Sequence, residues 1–273
     1  MAIAELFDIV ERAVKVHRLA RARREASLAR EIDGDPDHAS LKARYTSAID
    51  KMWMAAQPIV SWKDQAIFAY EMLLRTDEPT LRSPVDFVDA AERLRRAPEL
   101  GRVVRGHVAR ILRNTQATVF VNLHPTDLQD AELYADNGAL TPFARQVVLE
   151  ITERGTLDGI NDLVARVTRL RDLGFRLAID DLGAGYAGLT SFAQLEPEVV
   201  KIDMSLIRGI ERSATKQKLV RSLISLSADL GIDVITEGVE SPDERDTLVS
   251  LGGDLCQGYL FARPDRGFPT PRF

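Results

Sequence analysis

The chain has 273 residues, 45% of them hydrophobic and 28% charged. That balance excludes a fibrous or disordered protein and suits one large domain of the size an α/β barrel uses, with a small element attached. Lys plus Arg number 36 and Asp plus Glu 41, and the formal net charge of -5 argues against a protein whose main task is coating nucleic-acid phosphates.

A single cysteine, Cys256, excludes an intrachain disulfide and any cysteine cluster. No apolar run approaches the ~18 residues of a membrane helix, and Glu5, Asp8 and Glu11 interrupt the only possible signal-peptide core. The expectation is a cytoplasmic protein with no membrane span and no DNA partner.

Apolar residues at Ile3, Phe7, Val10 and Val14 draw one helical stripe. Residues 1 to 30 carry seven Lys/Arg against four acids, so this stretch is basic and the remainder acidic. The step marks a junction, and we expect an amphipathic linker helix over residues 1–36 and the main domain over 37–273. Packing on that domain, linking or dimerising would each suit such a helix.

Gly34, Asp35 and Pro36 break the first helix, and a second pattern runs through Leu41, Tyr45, Ile49 and Met52. The runs WMAAQPIV and AIFAYEMLLR then flank a polar turn at Lys63 and Asp64, which predicts an antiparallel hairpin. Beyond it, short β-rich runs (ATVFVNL, QVVLEIT, FRLAID, EVVKID, DVITEG, DLCQGYL) alternate with helical segments such as NDLVARVTRLRDLG and KQKLVRSLISLSADLG. Strand and helix in alternation mean parallel strands with crossover helices. A barrel and an open doubly wound sheet both satisfy this; the length, the repeats and the lack of a Gly-rich dinucleotide fingerprint favour the barrel.

Nearly every predicted strand ends in an ionisable or amide residue: Glu71, Asn122, Glu150, Asp180 with Asp181, Lys201 with Asp203, Glu237 and Gln257. In a barrel those ends share one mouth, where active sites are built. Asp180 and Asp181 would point oppositely on a straight strand, but Gly183 and Gly185 permit the backbone to turn there. Each acid alone has a plain reading: Glu150 as a surface residue, Asp203 as a helix N-cap, Glu240 as a solvated charge, and His124 as a loop residue.

Together they carry more. Six carboxylates in one mouth, with Lys201 and Arg75 as the only compensating cations, imply divalent metal. Oxygen ligands, the Asn122 amide included, select Mg²⁺ or Mn²⁺ over Zn²⁺. An oxygen-ligated metal pair suits phosphoester hydrolysis, with Lys201 neutralising charge on phosphorus and Arg75 holding a phosphate oxygen.

Taken in order, the motifs QPIV from Gln57, YEMLLR from Tyr70, VNL from Val121, LEITE from Leu149, DDLGAGYAGL from Asp180, VKID from Val200, TEGVE from Thr236 and QGYLFARP from Gln257 resemble the EAL-domain family of cyclic di-GMP phosphodiesterases. The resemblance implies a TIM-like (β/α)8 barrel whose first strand runs antiparallel, and hydrolysis of cyclic di-GMP to linear pGpG with two Mg²⁺ or Mn²⁺ ions. It implies metal ligands at Glu71, Asn122, Glu150, Asp180 and Asp181. Lys201 would contact the attacking water or phosphate, and Glu237 would be general base or a water-mediated ligand. Gln57 and Arg75 would contact substrate, with Asp203 and Gln257 in the same water, metal and substrate network. Glu153 would steady the loop from Leu182 to Gly188 that couples homodimerisation to activity, supported by Glu240. The segment VERAVKVHRLARARREA is similar to the outgoing linker of a response-regulator receiver domain, which implies such a domain upstream.

Three positions depart from the family's usual pattern. Met72 replaces the alanine of the signature triplet; because it points away from Glu71, it is expected to alter packing more than chemistry. Leu182, Ala187 and Gly188 replace a phenylalanine and two serines in the loop, and Ala56 stands where an aromatic often precedes the QP pair. The competing expectations are a catalytically silent cyclic di-GMP sensor and an interaction scaffold that ignores nucleotide.

Overall fold

The computed structural model describes residues 36–152, 162–183 and 194–273. The hairpin expected at the start of the domain is present. Strands β1 (Met52–Ser61) and β2 (Ala66–Thr76) pair antiparallel from Met52↔Thr76 to Ser61↔Ala66. Strands β3 (Val119–Leu123), β4 (Val147–Thr152), β5 (Arg176–Leu182), β6 (Val199–Ile202), β7 (Asp233–Thr236) and β8 (Leu255–Gln257) follow in parallel. The eight close into a barrel in chain order, with β1 antiparallel to both neighbours.

Because β8 pairs only with Ile59, Val60 and Ser61, the half of β1 nearer the mouth finds another partner. Asp265 supplies it, exchanging both backbone hydrogen bonds with Ala56 at 2.8 and 3.1 Å. Ala56 is itself fully buried, so the position that often carries an aromatic here admits a close backbone neighbour.

The helices surround the strands. Among the described residues, α1 (Pro36–Asp50) precedes the barrel and α2 (Pro84–Arg93) and α3 (Ala97–Leu112) separate β2 from β3. Next come α4 (Leu163–Leu173), the one-turn α5 (Met204–Ile207), α6 (Ala214–Asp229) and α7 (Pro242–Ser250). Gly174, at φ +100°, ends α4 in the left-handed region where glycine is favoured. Met52, counted by spacing with the α1 stripe, is instead the first residue of β1, since the helix stops at Asp50. The linker helix expected over residues 1–36 lies outside the described residues up to Pro36, which opens α1.

Alternation sorts the strand residues. One face of each strand packs outward against the helices, as Val121, Leu149, Leu177 and Ile179 do against the core that includes Phe87, Val108 and Leu170. Met72 belongs to that outer core at 2% exposure, so its replacement of alanine does fall on packing. The other face fills the barrel interior with one apolar residue per strand: Ile59, Ala69, Phe120, Val148, Ala178, Val199, Ile235 and Leu255. Two residues farther towards the mouth, the side-chain period of a strand places Gln57, Glu71, Asn122, Glu150, Asp180, Lys201, Glu237 and Gln257. An apolar floor thus carries a polar ring.

The connection after β3 is held by a buried ionic cluster. Arg105 of α3, 1% exposed, reaches Asp127 at 2.8 Å, Asp130 at 2.6 Å and Glu132 at 2.8 Å. Asp127 also accepts the backbone N–H of His124 at 2.9 Å, which fixes the turn that follows Asn122.

Candidate active site

Lys201 is the hub of the ring. Its Nζ lies 2.6 Å from Glu150 Oε1 and 2.6 Å from Glu237 Oε1, 3.3 Å from Asp180 Oδ1 and 3.4 Å from Glu71 Oε2. Burial works against its charge, yet Glu150, Glu237, Glu71 and Asp180 together hold the ammonium well above its ordinary pKa. Amide groups orient the acids. Asn122 Nδ2 donates to Glu71 Oε1 at 2.9 Å, and Gln257 Nε2 donates to Glu71 Oε2 at 2.6 Å and to Gln57 Oε1 at 3.1 Å. Gln57 in turn donates to the Ala262 carbonyl at 3.2 Å.

The acids at the end of β5 depend on a bulge. The β5–β6 register slips between Ile179 and Leu182, and Asp181 takes φ +59°. The residue that turns the backbone is thus Asp181 itself, followed by Gly183 at φ +105°. Asp is among the few non-glycine residues that enter the left-handed region readily. The turn brings carboxylate oxygens of Asp180, Asp181 and Glu237 within 4.8 Å of one another. Gly185, the second expected hinge, lies outside the described residues.

The charge balance of this ring is unfavourable on protein atoms alone. Five carboxylates (Glu71, Glu150, Asp180, Asp181, Glu237) face one ammonium, and burial drives the Glu150 carboxyl well above its ordinary pKa. Burial, reinforced by Asp180 and Glu71 and opposed by Lys201, lifts Glu237 to about 8. Glu71 goes the other way: burial pushes it up, but Lys201 and the donors Gln257 and Asn122 outweigh that and hold it below its ordinary value.

Despite the close approach of Lys201, neither oxygen of Glu150 has a partner at hydrogen-bonding geometry among the described residues. Gln257 Oε1 is likewise buried without a donor. Orphaned buried acceptors in an excess of carboxylates fit hard divalent cations, and the donor set of carboxylate and amide oxygens suits Mg²⁺, Mn²⁺ or Ca²⁺.

Several expected residues stand outside the ring. Arg75 lies at the rim, half-buried, with its guanidinium donating to the Leu74 carbonyl at 2.7 Å. It shares with Asn122 a pocket of about 660 Å³, walled by Met54, Met72, Val88 and Leu100. Asp203 is the N-cap of α5, accepting from Ser205 N at 2.9 Å, and also lines a smaller pocket of about 290 Å³ with Gln57, Asp181 and Glu237. Glu240 pairs with Arg208 at 2.8 Å beside that pocket. His124 caps the turn after β3 and contacts Glu92 at 2.8 Å, a loop role. Glu153 and residues 184–188 of the loop lie outside the described residues. Sequence reasoning missed the apolar wall, to which Val85 of α2, 75% exposed, also belongs, and Arg208.

The model of the EAL domain matches residues 42–264. The chain belongs to the EAL domain family. It is 35% identical over 147 residues to the cyclic di-GMP phosphodiesterase RocR of Pseudomonas aeruginosa, covering 52% of this chain and 38% of that protein. A standalone versatile EAL protein from Vibrio cholerae in its c-di-GMP-bound form superposes with a TM-score of 0.71 at 28% identity, covering 81% of this chain and 95% of that one. The manganese and cy-diGMP complex of BlrP1 from Klebsiella pneumoniae gives a TM-score of 0.68 at 34% identity, covering 78% and 56%. This EAL domain therefore spans little more than a third of the length of RocR. Among the described residues, no helix is long and apolar enough to cross a membrane.

Proposed function

We propose that this EAL domain hydrolyses cyclic di-GMP to linear pGpG in the bacterial cytoplasm. The observation that carries the reading is the buried ring itself: four carboxylates within 3.4 Å of one lysine and Asp181 beside them, with neither oxygen of Glu150 at hydrogen-bonding geometry to a protein donor among the described residues. In this reading Glu71, Asn122, Glu150, Asp180 and Asp181 hold two divalent cations, Mg²⁺ or Mn²⁺. These would supply Lewis-acid polarisation of the phosphate and acidify the attacking water.

The remaining work belongs to the chain. Lys201 sits among the ligands and offsets negative charge gathering on phosphorus. Glu237, in contact with Lys201, takes the proton of the water as its oxygen bonds to phosphorus; the ester P–O bond breaks and the leaving oxygen is protonated from solvent. Arg75 orients the dinucleotide from the rim, and Gln57, Asp203 and Gln257, which line one pocket together, hold it from their side. The same reading takes the working unit as a homodimer, coupled to the site through the loop from Leu182 to Gly188 with Glu153 and Glu240, and controlled by a receiver-type domain preceding residues 1–36. The basic amphipathic stretch supports that last element.

The test is incubation with cyclic di-GMP and Mg²⁺ or Mn²⁺, with chromatographic separation of pGpG and a Glu71→Ala control. Product from the unsubstituted protein alone is the expected result. Saturable binding without product would replace the enzyme with a sensor.

A further inference from the structure

The short helix α5 touches both loops that carry the clustered carboxylates. Asp181 is followed two residues later by Gly183, and Glu237 directly by Gly238, and both glycines have positive φ. A Cβ on Gly183 would lie 2.5 Å from Leu206 Cδ1, and a Cβ on Gly238 would lie 2.5 Å from Met204 Cβ. Leu206 and Met204 therefore fill the space directly against the two glycine backbones.

The helix is itself held in place. Asp203 caps its start, its N–H reaching the Leu182 carbonyl at 3.2 Å. Lys216 Nζ donates to the Ser205 and Arg208 carbonyls at 2.7 Å each, closing the far end. Ile207, fully buried, anchors the helix in the core beneath α6 and α7. A fixed element in contact with two loops sets the distance between them.

We infer that Met204 and Leu206 are positioning residues, a wedge that sets the spacing of Asp180 and Asp181 from Glu237 for a divalent cation. The inference rests on the metal-dependent reading above. Outer groups that orient ligands typically change metal affinity by ~10–100-fold when removed; Leu206→Ala removes the Cδ1 that meets Gly183, and Met204→Gly removes the Cβ that meets Gly238, so each would let a glycine loop relax towards the vacated space.

The experiment measures Mn²⁺ affinity of the apo protein by titration calorimetry, without nucleotide, for Met204→Gly, Leu206→Ala, Met204→Leu, Leu206→Met and Leu41→Ala. Met204 is half-exposed, so its truncation leaves the core intact. Met204→Gly and Leu206→Ala are expected to bind Mn²⁺ at least ~10-fold more weakly, and the Leu and Met exchanges to retain affinity within about two-fold. Leu41→Ala, buried in α1 in a different core cluster from α5, is expected to lower the thermal midpoint while leaving Mn²⁺ affinity unchanged. Met204→Gly and Leu206→Ala with the affinity of the unsubstituted protein would overturn the wedge and leave the phosphodiesterase reading standing. Equal weakening by Leu41→Ala would overturn it too, by showing general loosening. An unsubstituted protein that binds no Mn²⁺ would remove the metal reading and the wedge with it.

Discussion

Lys201 Nζ stands 2.6 Å from Glu150 Oε1, and both side chains are wholly closed off from solvent. Removing one partner of a buried pair strands the other charge, which costs about 3–5 kcal/mol. Lys201→Met is therefore expected to lower urea-denaturation stability of the metal-free protein by that order and to abolish hydrolysis. Excess Mn²⁺ should restore part of the stability and none of the activity. Unchanged stability without metal would show that the lysine does not hold the ring together.

Glu150→Gln has the opposite sign. The carboxyl is fully buried and driven well above its ordinary pKa by burial, and Lys201 keeps Glu71, Asp180 and Glu237 when Glu150 is neutral. The metal-free variant should melt higher than the unsubstituted protein, by roughly 2–4 °C per kcal/mol recovered. Its melting temperature should then respond little to Mn²⁺, whereas the unsubstituted protein gains about 2.7 kcal/mol at a hundredfold excess over the dissociation constant. A lower melting point without metal would refute the account of the ring as over-charged.

The pH dependence of the metal-free protein follows from Glu237. Its carboxyl is lifted from 4.5 to about 8, so the folded state keeps a proton that the unfolded chain has released. This contribution is complete below the unfolded value, falls as pH rises through the window up to about 8, and is level above it. Glu237→Gln should flatten that slope in urea midpoints taken across the window. Parallel curves for the two proteins would contradict the shift.

Much of this site was legible because a barrel strand writes its faces in period two. Ala69 then Glu71, Val148 then Glu150, and Val199 then Lys201 place an apolar floor residue two positions from a polar ring residue, and no tertiary information is needed to see it. The pair Asp180 and Asp181 resisted this logic. Their convergence depends on a register slip and on a left-handed aspartate, a conformation that aspartate tolerates but that the period-two pattern of a strand does not announce. Met52 was misplaced because helix spacing and a strand start coincide at one residue. Arg105 left no trace, since an arginine in an amphipathic helix reads as solvent-facing until the connection after β3 folds over it.

That buried arginine makes two glycines of α3 behave oppositely. In a helix interior Gly→Ala normally adds about 1 kcal/mol of stability. Gly106 has open space around its Cβ position, so Gly106→Ala should gain about that amount. A Cβ on Gly101 would lie 2.0 Å from Asp127 Oδ1, the oxygen that pairs with Arg105 at 2.8 Å. Asp127 would have to move, disturbing both Arg105 and the His124 N–H it accepts, two residues beyond Asn122. Gly101→Ala is therefore expected to lose about 1–3 kcal/mol, the usual penalty of overpacking, and to lower activity through the displaced Asn122 amide. Paired denaturation curves decide it: a gain for both variants would mean that the space beside Asp127 opens freely and that the ionic cluster does not hold the loop after β3.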